Sequence, residues 1–133
     1  MRLVDANILL RYYIENVSEH TKAAKRLIVR LESGEEKAAV SFTAISEVIF
    51  TLERSYKISH ADIRKYVMFL MTLNGLSMEA ADLIQEALEV YEKARIPFGD
   101  AVQVAYMRQR GIQEIYSFDH DFDKVSGIVR LEP

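Results

Sequence analysis

Asp5, Glu47, Asp100 and Asp119 are the residues of this 133-residue sequence best suited to chemistry. Hard divalent cations such as Mg²⁺ and Mn²⁺ prefer carboxylate oxygens, and four carboxylates would hold one or two of them. Ions held in that way orient and activate a water for in-line attack on a phosphodiester and stabilise the leaving oxygen. Each acid also has a structural use. Asp5 and Asp100 stand where a helix cap, or a favourable charge at a helix N-terminus, would stand. Glu47 lies between Ile45 and Val48-Ile49-Phe50. If buried there it needs a cation or a hydrogen-bond network, and if exposed it needs neither. Asp119, Asp121 and Asp123 have the look of an Asp-rich turn, whereas alternation along an extended segment would aim all three the same way. A calcium loop needs Gly at its sixth position and Glu at its twelfth; counted from Asp119 these are Lys124 and Arg130, so that reading fails.

Competing chemistries find little support. His20, His60 and His120 have no metal-ligand spacing, and neither a Ser-His-Asp order nor a Gly-rich phosphate loop stands out. With no cysteine, disulfides, thiolate metal sites and a cysteine nucleophile are excluded, and a reducing, cytoplasmic setting is expected. The first residues show no basic region followed by a long apolar run, so neither a signal peptide nor a membrane anchor is expected.

The elements that position the acids follow from periodicity. Residues 2–5 form an apolar run ending at Asp5, which predicts a strand feeding a short helix around Ile8-Leu9-Leu10. Ala24, Leu27, Ile28 and Leu31 line one face of a helix that starts at Ser18 and is closed by Gly34. A strand over 38–42 leads to a helix capped by Thr43, with Ala44, Ile45, Val48, Ile49 and Leu52 inward and Glu47 about one turn in. Ser59 and Asp62 resemble a capping box ahead of Ile63, Tyr66, Val67, Leu70 and Met71. Asn74-Gly75 turns the chain into a strand at 76–78, and a helix over 79–94 ends before Ile96-Pro97. Asp100 begins a helix closed by Gly111, and strands follow at 114–118 and 128–131. Strands alternating with helices predict an α/β fold, a parallel sheet covered on both faces. Asp5, Glu47 and Asp119 then belong at the carboxyl ends of strands, where such sheets bind ligands; the end occupied by Asp100 is left open by the pattern.

Four segments carry a family resemblance: Val4-Asp5-Ala6-Asn7-Ile8-Leu9-Leu10-Arg11-Tyr12; Ile45-Ser46-Glu47-Val48 running on to Tyr56; Phe98-Gly99-Asp100-Ala101; and Tyr116-Ser117-Phe118-Asp119-His120-Asp121-Phe122. In order, with spacings of 42, 53 and 19 residues between their acids, they resemble the PIN-domain nucleases and, among these, the VapC-type toxins of prokaryotic toxin–antitoxin (VapBC) pairs. The resemblance implies a single three-layer α/β/α domain over 1–133, with a parallel sheet of about five strands in the order 3-2-1-4-5. It also implies Mg²⁺- or Mn²⁺-dependent hydrolysis of RNA, a homodimer, and inhibition by a cognate antitoxin protein. By position, Asp5, Glu47, Asp100 and Asp119 match the family's four catalytic, metal-holding acids. Ser117 stands where a supporting Thr or Ser is found and Asn7 where a small polar residue follows the first Asp, while Asp121 is placed to share or replace the role of Asp119. Two other classes compete: a PIN-like binding module without catalysis, and a receiver-like phosphoacceptor domain. The latter would want a pair of acids at the first strand, where Met1-Arg2-Leu3-Val4-Asp5 has only one.

The net charge of −3 lacks the basic footprint of a nucleic-acid binder, but setting aside the four acids as cation-neutralised leaves the remainder at +1. RNA is therefore expected to bind weakly to metal-free protein and more tightly once divalent cation is added. Filter binding at moderate salt with and without chelator checks this, and tight binding by the metal-free chain would contradict it.

Overall fold

The structure is a computed structural model, and it describes residues 1–14 and 16–133. The chain forms two compact units, Met1–Ala81 and Asp82–Pro133.

In the first unit, strands β1 (Arg2–Leu3), β2 (Ala38–Val40) and β3 (Leu76–Met78) form a parallel sheet in the order β1-β2-β3. Arg2 pairs with Ala38, and Ala38 with Leu76. The connections are helical, as parallel neighbours require: α1 (Ala6–Tyr13) and α2 (Glu19–Ser33), then α3 (Phe42–Arg54) and α4 (His60–Met71). The inward faces are those the spacing predicts: Ala44, Ile45, Val48, Ile49 and Leu52 on α3, and Ile63, Tyr66, Val67 and Leu70 on α4, are all buried. Met71, expected on the same stripe, is only half-buried.

Caps set the helix starts. Ser18 and Ser59 accept hydrogen bonds from the backbone N–H groups of Thr21 and Asp62, and Gly34 closes α2 in the left-handed conformation. The predicted Thr43 cap is corrected: the capping oxygen is that of Ser41, which accepts from the Ala44 N–H, so α3 starts at Phe42 and β2 stops at Val40. Both hydroxyl residues suit a cap, and only the Ser41 backbone has the extended conformation of one.

Two contacts bind the helices of this unit together. The buried Tyr66 hydroxyl donates to the Leu9 carbonyl at 2.6 Å, tying α4 to α1. Burial, and then the neighbouring Tyr12 and Tyr13, push the Tyr66 phenol well above its ordinary range, so it stays a donor. Gly75 is needed for close approach: its N–H donates to the Leu31 carbonyl at 2.7 Å, and its own carbonyl accepts from Ala38.

The second unit holds α5 (Ala81–Ala94), α6 (Phe98–Arg110), β4 (Glu114–Tyr116), a 3-10 turn (His120–Lys124) and β5 (Val129–Leu131). β4 and β5 pair in parallel, Ile115 opposite Arg130. Ile84, Ala87, Leu88, Val90 and Tyr91 of α5 are buried, as are Phe98, Ala101, Val104, Ala105 and Met107 of α6, and Gly111 ends α6 with a left-handed φ. The expected helix-rich α/β class with parallel strands is thus present, and the expected order 3-2-1-4-5 is visible as its segments 3-2-1 and 4-5. No helix among the described residues is long and apolar enough to cross a membrane.

A Cβ on Gly75 would fall on the Glu36 carbonyl oxygen and lie 3.0 Å from that of Leu31, whereas one on Gly99, in the first turn of α6, meets nothing within 4 Å. Gly75→Ala is therefore expected to cost about 2–3 kcal/mol of stability. Gly99→Ala should be neutral or stabilising by up to about 1 kcal/mol, because alanine favours a helix over glycine. Urea denaturation of both variants checks the contrast, and equal effects would contradict it.

Candidate metal centre

Asp100, Asp119 and Asp121, all in the second unit, form a carboxylate cluster: one oxygen from each lies within 4.8 Å of the others. Asp100 comes from the first turn of α6, whose N-cap position is Pro97, so it does not begin the helix as its sequence position suggests, and it is not a cap. Proline at that place leaves the capping role unfilled by any side chain. Asp100 is half-buried, and the dipole of α6 favours negative charge in its first turn.

Asp119 and Asp121 come from the segment after β4, which winds into a 3-10 turn. Asp119 Oδ1 accepts from the Asp121 N–H at 2.9 Å, and Ser117 Oγ accepts from the Asp119 N–H at 2.9 Å. Ser117 thus fixes the backbone of Asp119, and Asp119 fixes that of Asp121. Lys124 Nζ lies 3.1 Å from Asp121 Oδ1. The extended reading of this segment, which would aim Asp119, Asp121 and Asp123 alike, is corrected by the turn. Asp123 leaves the cluster, accepting from Arg130 Nε at 3.1 Å and lying 2.9 Å from His120 Nδ1. His120 first, and Arg130 after it, hold the Asp123 carboxyl below its usual range.

Arg130 is the residue that sequence reasoning did not single out as part of the site. Besides Asp123 it reaches Glu132 and, through Nη1, donates to the Ser117 carbonyl at 3.0 Å. It therefore ties β5 to both ends of the segment bearing Asp119 and Asp121. An arginine in a short strand opposite an Asp-rich segment is a weak signal for such a staple, legible only once the β4–β5 register is known.

The remaining expected site residues lie in the first unit. Asp5 occupies the N-cap position of α1 without a side-chain capping bond, which leaves its carboxylate uncommitted to the backbone. Glu47 lies on the exposed face of α3, which packs against α1. Asn7, in the first turn of α1, is exposed.

The electrostatics of the cluster are strained. Burial, then the charges of Asp119 and Asp121, and a hydrogen bond to Asp119, raise the Asp100 pKa. Three oxygen donors of this kind fit a hard divalent cation, which would relieve the repulsion that the carboxylates exert on one another.

The PIN domain family matches residues 2–128 of this chain. A protein of Aquifex aeolicus (strain VF5) named "VapC ribonuclease" is 27% identical over 125 residues, covering 94% of this chain and 92% of that protein. The crystal structure of Mycobacterium tuberculosis VapC20, described as a sarcin-ricin loop cleaving toxin, is 26% identical and covers 100% of both chains, with a TM-score of 0.42.

The raised Asp100 pKa has a definite sign. The folded chain holds that proton more tightly than the unfolded one, so stability is lost as pH rises from the ordinary aspartate range, about 3.9, through the folded value. Asp100→Asn is expected to raise the melting temperature of metal-free protein at neutral pH and to lose that advantage below about pH 4. Thermal melts across pH in chelator check this, and a lower melting temperature at neutral pH would contradict it.

Proposed function

We propose, from the premise that this chain belongs to the PIN domain family, that it is a metal-dependent endoribonuclease of the VapC type, the toxin of a toxin–antitoxin pair. One observation supports the reading: three carboxylates lie within 4.8 Å of one another, and two of them, Asp100 and Asp119, are acids that the resemblance assigns to the family's site. The near full-length similarity to a protein named VapC ribonuclease supports the choice of RNA as substrate and of an antitoxin protein as partner. Family membership also leaves the receiver-like alternative without support.

Asp100, Asp119 and Asp121 would hold Mg²⁺ or Mn²⁺. On the family resemblance, Asp5 and Glu47 are assigned to the same reaction, with Asn7 as a supporting polar group, and a homodimer is the expected assembly. A bound divalent cation supplies charge neutralisation and activation of a water for in-line attack on the phosphodiester. The chain's own part is positioning. Ser117 and the 3-10 turn fix Asp119 and Asp121, and Arg130 holds the segment that carries them. Asp100 is carried by the first turn of α6, where the helix dipole favours negative charge, while burial and then the charges of its neighbours oppose it. Hydrolysis adds water across the P–O bond and leaves one phosphate-bearing and one hydroxyl end.

The test is cleavage of labelled RNA by purified protein with Mg²⁺, Mn²⁺ or chelator. Cleavage is expected only with metal. Asp100→Asn and Asp119→Asn should each reduce it about 10²–10³-fold, the effect of losing several kcal/mol of charge stabilisation. Asp5→Ala should reduce it as well. Metal-dependent cleavage that survives all three substitutions would sink the assignment, and an absence of cleavage with any RNA would favour the non-catalytic binding module.

A further inference from the structure

The geometry points to a phosphate-binding groove in the second unit, beside the three-acid cluster, that takes a backbone phosphate of the RNA strand being cut. The choice of RNA rests on the ribonuclease reading; the groove itself rests on its own residues. It is a recess of about 310 Å³ whose lining includes Lys93 of α5, Arg108 of α6 and Lys124 at the end of the 3-10 turn, over an apolar floor of Val90 and Val125. Glu89 is the only acid of that lining, so the recess carries an excess of two positive charges in a chain whose net charge is −3. A concave basic recess with apolar walls weakens solvent screening and concentrates potential on an anion.

Its place relative to the cluster makes it a strand site. Lys124 belongs to both features, since it lines the groove while its Nζ lies 3.1 Å from Asp121 Oδ1. Arg108 lies eight residues beyond Asp100 on the same helix, about 12 Å along its axis at 1.5 Å per residue. A strand whose scissile phosphate reaches Asp100, Asp119 and Asp121 therefore passes a second phosphate within reach of the groove. The Arg108 guanidinium is aimed by a long contact, 3.5 Å, from Nη2 to the Ser126 carbonyl, which leaves donors of its five N–H set for a phosphate. Two other arginines, Arg54 and Arg11, are differently engaged. Arg54 lies over the Phe50 ring at 4.7 Å, and Arg11 donates to Ser18 Oγ at 3.4 Å.

The experiment measures binding apart from catalysis. Fluorescence anisotropy follows a labelled single-stranded RNA on full-length Asp100→Asn protein in Mg²⁺, with and without the added pair Lys93→Ala and Arg108→Ala. Two lost phosphate contacts should lower the slope of log K against log salt by about 1.4 and weaken binding about tenfold at 0.15 M salt. The pair Lys93→Arg and Arg108→Lys, which keeps the charge, should restore most of the loss. Lys22→Ala with Arg26→Ala on α2 removes the same charge elsewhere and should leave the slope unchanged. An unchanged slope in the groove variant, or an equal fall in the α2 variant, would overturn the proposal. Inorganic phosphate that displaces RNA only where chloride of equal ionic strength also does supports a strand phosphate; displacement at far lower concentration would assign the groove to free phosphate and overturn the RNA assignment. Cleavage by otherwise unaltered protein is followed in parallel. Retained cleavage with an unchanged slope sinks the groove alone, whereas a groove-dependent slope without any cleavage supports the groove and sinks the ribonuclease.

Discussion

The repulsion among Asp100, Asp119 and Asp121 is the constraint on which the second unit turns. Three carboxylates within 4.8 Å of one another do not assemble by themselves, and burial, followed by the charges of Asp119 and Asp121, raises the Asp100 pKa. They are held by groups whose other roles are structural. The α6 N-terminus offsets charge on Asp100, the Ser117–Asp119–Asp121 chain of hydrogen bonds winds the turn, and Arg130 ties that turn to β5. A site that stores repulsion of this kind is poised for a cation, because the bound ion gains what the folded chain has already spent.

Much of the architecture was legible before any coordinates. Helices whose apolar residues recur at three and four positions bury the faces that spacing assigns, as Ala44 to Leu52 on α3 and Ile63 to Leu70 on α4 do. Gly34 and Gly111 end their helices where only a left-handed residue continues the chain cheaply. Legibility faded where two residues of like chemistry compete, as Ser41 and Thr43 do for one cap, and where the decision lies in a turn. The Asp-rich segment after β4 admits both a turn and an extended run in the sequence, because alternation is a local rule that does not decide between them. Its 3-10 winding depends on Ser117, Asp119 and the distant Arg130, and that winding brings Asp121 to the cluster and takes Asp123 away. Gly75 showed a turn in the sequence but not its reason, which is the approach of the Glu36 and Leu31 carbonyls from a distant part of the chain.

Charge is distributed with more purpose than the net value suggests. An acidic chain is a poor general binder of RNA. Here, however, part of the acidity is gathered into one cluster, and Lys93, Arg108 and Lys124 line a recess next to it. On the proposed function, attraction for a phosphodiester would depend on the cluster being neutralised, which would couple RNA capture to the bound cation. The Lys124–Asp121 ion pair is where the two features meet.

The central claim is that the cluster holds a divalent cation, and paramagnetic NMR tests it most directly. Mn²⁺ titrated into isotope-labelled protein should broaden the amide signals of residues 99–101 and 117–122 first, at substoichiometric ion. Broadening that begins elsewhere in the second unit, or that appears only diffusely over acidic surface at large excess, would contradict the account.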